Sequence, residues 1–175
     1  MRRRDLLAGL GGAGIIGVAG AAHVYGMPFG NRAGEEPAHD PVAVQGVATT
    51  GSEAGELTIP ASDHPTFVDL FATTCTICQA QMPALGEAYD TLDDVTFLSL
   101  TAEPEGAVDD EALADWWDEY NGRWQVARDT TYGFVRHYSR ATPTAVLFDA
   151  DGRLRWEETG RKTAAEIIDR VEDVR

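Results

Sequence analysis

Cysteine and lysine are both scarce in this chain of 175 residues. There are two cysteines, Cys75 and Cys78, and one lysine, Lys162. Two cysteines cannot assemble a four-thiolate zinc site or a multi-disulfide scaffold. Positive charge is short as well. The 14 bases face 29 acids, for a formal net charge of −15, and without residues 1–32 the balance is 10 against 28, or −18. A surface of that sign repels phosphate backbones, which excludes nucleic acid as a partner. No Gly-rich phosphate loop follows a strand, and there is no internal repeat. What is present is 43% hydrophobic and 25% charged residues, a globular composition sized for one domain plus a targeting segment. The excess of acids over lysine, with abundant Ala, Gly, Thr and Val, points to halophilic adaptation. At 1 M salt the mutual repulsion of carboxylates is screened over roughly 3 Å, so the fold is expected to loosen in dilute buffer.

The first 25 residues read as a targeting segment. Arg2-Arg3-Arg4-Asp5-Leu6-Leu7 is followed by an uncharged stretch to Ala22 with six glycines in 17 residues. Paired arginines ahead of a weakly hydrophobic run resemble a twin-arginine export signal. A general secretory signal and an uncleaved membrane tether remain as alternatives, since 17 residues approach the length that spans a bilayer. Either way the arginines stay inside and the domain faces outward, an extracytoplasmic placement. No cysteine lies nearby to take a lipid. Residues 26–55, rich in Gly, Pro, Ala and acids, read as a flexible linker with one short strand around Val42–Val47.

From residue 56 to 175 the patterning is that of one folded domain. Strands are expected at Leu57–Ile59, Thr66–Phe71, Val95–Thr101 and Trp124–Ala127, with a hairpin of Thr144–Phe148 and Leu154–Glu158. Helices are expected at Thr76–Leu92 (with Pro83 inside), Asp109–Tyr120, Thr130–Tyr138 and Thr163–Val174. The last opens on a capping box of Thr163 and Glu166. This order, βαβ first and an antiparallel hairpin late, gives an α/β fold. A mixed central sheet of four to five strands would be flanked by helices on both faces. Trp116, Trp117, Trp124 and Trp156 are read as packing residues.

The pair Cys75-Thr76-Ile77-Cys78 stands where a buried strand gives way to a helix. A cysteine attacks as its thiolate, and the free N–H groups and dipole of a helix N-terminus stabilise that anion. Cys75 at the first turn is expected to be the accessible nucleophile and Cys78, one turn below, the resolving thiol. An inert structural disulfide is a poor alternative, because so small a loop restricts the unfolded chain very little. Half a metal site completed by His64 or His137, as in a copper-delivery module, is the other.

Three features at fixed offsets from this pair resemble the thioredoxin superfamily. Val68-Asp69-Leu70-Phe71-Ala72 is similar to the strand that precedes the family's first cysteine. Pro83, five residues beyond Cys78, matches the proline in its active-site helix. Thr142-Pro143-Thr144, running into Phe148 and Asp151-Gly152, matches the cis-proline segment before its hairpin. With the exported N-terminus and the acidic helix at Asp109–Tyr120, the chain resembles the TlpA-like branch of extracytoplasmic thiol–disulfide oxidoreductases. A peroxidase of the same superfamily is excluded by Val68 and Ala72, which stand where that chemistry needs Pro and Thr.

The resemblance implies a thiol–disulfide oxidoreductase that works without a metal or an organic cofactor. Its partners would be protein disulfides, apocytochromes c among them, and a membrane redox partner, and the chain would be a monomer. It makes Asp69 the buried acid that exchanges a proton with Cys78, and Pro143 a cis residue beside Cys75. Thr142 would pair through its backbone with an extended substrate, while Thr74, Thr76 and Ile77 form the surrounding contact surface. Thr74 replaces the family's usual Trp and Ile77 its usual Pro, positions that tune potential and substrate contact.

Overall fold

The computed structural model describes residues 40–138 and 140–175. The expected targeting segment and the first part of the expected linker lie outside the described residues. In chain order the elements are β1 (Val42–Gly46), β2 (Gly55–Ile59), β3 (Thr66–Phe71), α1 (Thr76–Thr91), β4 (Thr96–Thr101) and α2 (Asp110–Glu119). β5 (Gln125–Arg128), β6 (Thr144–Phe148), β7 (Leu154–Thr159) and α3 (Ala164–Glu172) follow. Their seven strands form one sheet in the order β2-β1-β5-β4-β3-β6-β7. β3, β4 and β5 run parallel, and the flanking pairings are antiparallel.

The sheet is wider than the four to five strands expected. The addition comes from residues read as linker: β1 pairs with β2 over its length and with β5 through Gln45 and Gly46. Val44 and Val47 are buried. Ser52 then fastens this edge, its hydroxyl donating to the carbonyl of Val47 (2.7 Å) and accepting the N–H of Val126 (3.0 Å). Within the expected linker, residues 42–46 thus belong to the sheet and Ser52 secures them there. The one short strand expected around Val42–Val47 is present as β1.

Strand β3 is buried at all six positions, as a central strand with both faces covered must be. Alternation sends Phe67, Asp69 and Phe71 to one face and Val68 and Leu70 to the other. The first face packs against α1 through Cys78, Met82 and Leu85 and against α3 through Ile167 and Val171. Leu113, Trp116 and Trp117 of α2 join the same cluster. All four tryptophans are buried. Trp117 donates its indole N–H to the Thr50 carbonyl (3.2 Å), and Trp124 donates to the Ser99 hydroxyl (2.9 Å).

The opposite face is covered by Phe134, Val135 and Tyr138. A helix was expected over Thr130–Tyr138, but this segment forms successive turns. Two features explain the difference. The Asp129 carboxylate accepts the N–H groups of Gly133, Phe134 and Val135 at 2.8, 2.9 and 3.0 Å. Tyr132 has φ 55°, a left-handed conformation that interrupts a helix. Among the described residues, no helix is long and apolar enough to cross a membrane.

Candidate active site

The site is assembled where β3 ends and α1 begins. A turn closes between them with the N–H of Cys75 donating to the Ala72 carbonyl at 3.1 Å. The loop is clamped from two sides. Glu103, just past β4, accepts the Thr73 N–H (2.8 Å) and hydroxyl (3.0 Å), and is steadied by the Thr101 hydroxyl (3.1 Å). From α1, Gln79 Nε2 donates to the Thr73 carbonyl at 3.2 Å. Behind Glu103, Arg128 donates to its carbonyl (2.7 Å) and pairs with Asp110 of α2 (3.1 Å). The acidic helix is thereby tied to the loop that carries the first cysteine.

Cys75 is the N-cap of α1, and its sulfur accepts the N–H of Cys78 at 3.2 Å. An N-cap acceptor ordinarily satisfies one of the orphan donors of the first turn. A thiolate there would gain a charge-assisted bond and the positive end of the helix dipole. The two Cα atoms lie 5.2 Å apart and the sulfurs 2.31 Å apart, paired as a disulfide. Burial divides them: Cys75 is half-buried, whereas Cys78 is 1% exposed. Thr74 and Thr76 are exposed and Ile77 is 55% exposed, so an open surface surrounds the first sulfur.

Thr142 and Pro143 meet this sulfur from the other side. The peptide bond between them is cis, and the Thr142 carbonyl oxygen lies 3.6 Å from Cys75 Sγ. Pro143 is buried. The segment is held against the end of β7, where the Gly160 N–H donates to the Pro143 carbonyl (2.8 Å) and the Thr144 and Thr159 hydroxyls bond at 2.9 Å.

Asp69 lies in the middle of β3, 3% exposed, on the face that also buries Cys78. Among the described residues its carboxylate accepts no hydrogen bond. Loss of solvation therefore pushes its pKa up from 3.8 to about 8, and the charge of Lys162 pulls in the opposite direction. A carboxyl so placed can give or take a proton near neutrality.

The structure thus gathers Cys75, Cys78, Thr142, Pro143, Thr74, Thr76 and Ile77 at one rim, with Asp69 in the layer below. His64 and His137 do not join the cysteines. Among the described residues no group of three or more His, Cys, Asp or Glu side chains could hold a metal ion. Three residues given no role in the sequence belong to the site's framework. Glu103 fixes the loop, and Gln81 with Lys162 ties α1 to the segment after β7. Lys162 carried a signal in being the sole lysine. Glu103 and Gln81 carried none.

Solved structures share this architecture. StoA from Bacillus subtilis superposes with a TM-score of 0.64 at 16% identity, covering 77% of this chain and 98% of that one. A secreted Mycobacterium tuberculosis disulfide oxidoreductase homologous to DsbE of Escherichia coli gives 0.58 at 21% identity, covering 74% and 96%. The exposed lipoprotein thioredoxin Etrx1 of Streptococcus pneumoniae gives 0.61 at 21% identity, covering 77% and 99%. No curated protein sequence matches the chain. The Redoxin family model matches residues 41–172, which is the whole folded domain but for its last turn, and on that match the chain belongs to the Redoxin family.

Proposed function

We propose that this protein is an exported thiol–disulfide oxidoreductase that exchanges disulfides with protein clients through Cys75 and Cys78. The observation that carries this reading is the division of labour at the start of α1. One sulfur is reachable and caps the helix, while the other is sealed beneath it at bonding distance. Starting from the dithiol, the Cys75 thiolate attacks a client disulfide, forming a mixed disulfide and expelling one client thiolate. Asp69 takes the proton of Cys78, and the new thiolate attacks Cys75 Sγ. The second client sulfur leaves as a thiolate and is protonated. Two electrons have passed to the client, and the Cys75–Cys78 disulfide remains for a membrane redox partner to reduce. The Thr142 carbonyl, 3.6 Å from the reacting sulfur, supplies a backbone acceptor for an extended client segment, and Thr74, Thr76 and Ile77 complete the contact surface.

Export is supported by the paired arginines of the N-terminus and by the secreted and exposed character of the similar proteins. Apocytochromes c are a client class consistent with that placement. The acid-rich, lysine-poor composition supports service at high salt. Alkylation of the reduced protein at pH 7, followed by mass spectrometry, tests the assignment. Cys75 should react at least about a hundredfold faster than Cys78, since it is both the stabilised anion and the accessible sulfur. Equal rates would remove the basis for assigning the two roles.

A further inference from the structure

Lys162 is the chain's one lysine, yet its side chain is only 5% exposed in the loop between β7 and α3. Its ammonium donates to the carbonyls of Thr159 (3.3 Å) and Gly160 (2.9 Å) and lies 3.3 Å from Oε1 of Glu158. The backbone of the same residue is locked to α1. Gln81 Nε2 donates to its carbonyl at 3.0 Å, and its N–H donates to Gln81 Oε1 at 2.7 Å. Gln81 is buried and stands one turn beyond Cys78, so the lysine is referenced to the helix that carries the thiols.

Enclosing an ammonium is unfavourable unless negative charge lies near it. Glu158 is one such group, but at 54% exposure it would pair equally well with a lysine left in solvent. The sheet register brings in a second carboxylate. Asp69 pairs with Ala145, and Ala145 pairs with Glu158. Directly opposed residues share a face, so the three side chains form one row beneath α1, with only the methyl group of Ala145 between the two acids. A larger residue there would fill that space.

We propose that Lys162 is a positioning residue for Asp69: its ammonium, fixed at the outer end of this row, keeps part of Asp69 ionised at neutral pH and so able to accept the Cys78 proton, while Glu158 weakens that field from the solvent side. This rests on the role of Asp69 as proton acceptor. Burial alone would hold Asp69 neutral, and the attraction of Lys162 works against burial. The other elements packed here add few competing charges. α1 presents the two cysteines, and β4 and β6 present Ser99 and Ala145. α3 presents Arg170 over the Trp156 ring at 5.6 Å and, in its first turn, the exposed Glu166, which feels Lys162 but is engaged by the N–H and hydroxyl of Thr163.

The test is carboxyl-carbon NMR titration of the reduced full chain, with the Asp69 signal assigned by its loss in Asp69→Asn. In Lys162→Met the Asp69 midpoint should rise by about one pH unit, a roughly tenfold drop in ionised Asp69 at a given pH below it. Lys162→Arg should restore it, and Glu158→Gln should lower it. The pH profile of client reduction should move in the same directions. A midpoint shared by wild type and Lys162→Met, still well above the carboxylate range, would overturn the role of Lys162 and leave Asp69 as the base. An ordinary carboxylate midpoint in wild type would overturn the base itself. If Lys162→Met does not fold, the exposed Glu158→Gln decides: an unmoved Asp69 midpoint refutes the proposal.

Discussion

Replacing Asp69 by Asn should make the protein more stable, and increasingly so as pH rises. In the folded chain burial raises the Asp69 pKa from 3.8 to about 8. Below the lower value the carboxyl is neutral in both folded and unfolded chains and contributes no pH dependence. Between the two values the unfolded chain releases the proton while the folded chain keeps it, so the folded state loses ground with each unit. Above about 8 both forms are ionised and the loss is complete. Spread over some four units at 1.36 kcal/mol each, the loss is on the order of 5 kcal/mol. That is a large share of the roughly 5–15 kcal/mol a domain possesses. Urea unfolding of the oxidised protein at fixed high salt, from pH 4 to 9, reads it directly. Subtracting wild type from Asp69→Asn cancels the many surface carboxylates. The difference should be near zero at pH 4, grow by about 1.4 kcal/mol per unit, and level off near pH 8. Parallel stability curves for the two proteins would refute the reasoning, because they would mean that Asp69 is solvated or paired in the folded state.

The same substitution should slow release of the client, so that Asp69→Asn accumulates mixed disulfide at neutral pH in quenched-flow gels while its initial attack rate is unchanged. Glu103→Ala removes the acceptor of two Thr73 donors and should cost about 1–3 kcal/mol in chemical denaturation, with broadened amide signals in the loop before Cys75. Asp129→Ala leaves three N–H groups in the turns over the second sheet face without their acceptor. It should lower stability by about 2–3 kcal/mol, with increased hydrogen exchange at Gly133, Phe134 and Val135. Thermal unfolding followed by circular dichroism should move upward by several degrees between 0.1 and 2 M salt, because screening relieves the repulsion of a chain with net charge −15. A midpoint that falls or stays fixed would contradict salt adaptation.

Much of this molecule could be read without coordinates because its chemistry sits on local signals. The junction of Thr66–Phe71 with the Cys75 helix, the hairpin around Asp151-Gly152 and the capping box at Thr163 each depend on neighbours close in sequence. Their boundaries fell within a few residues of the observed elements. What escaped depends on contacts between distant segments. The alternation around Val42–Val47 reads as a short strand, but its place in the sheet between β2 and β5 depends on residues far along the chain. Residues 130–138 read as a helix, but Asp129 captures the N–H groups its first turn would use, and Tyr132 adopts a left-handed backbone. At the site, Cys75, Cys78, Asp69 and Pro143 follow from spacing and resemblance. Glu103 became visible only when β4 delivered its carboxylate to Thr73, a residue 30 positions earlier. Gln81 and Lys162 are 81 positions apart and meet through the packing of α1 against the segment after β7.

Trapping separates the two sulfurs most directly. Reduced Cys78→Ser and Cys75→Ser variants are each mixed with a disulfide-bonded client and resolved on a non-reducing gel. The account predicts a long-lived mixed disulfide through Cys75 in the Cys78→Ser protein and no adduct in the Cys75→Ser protein. Adducts formed equally by both, or only through Cys78, would contradict it.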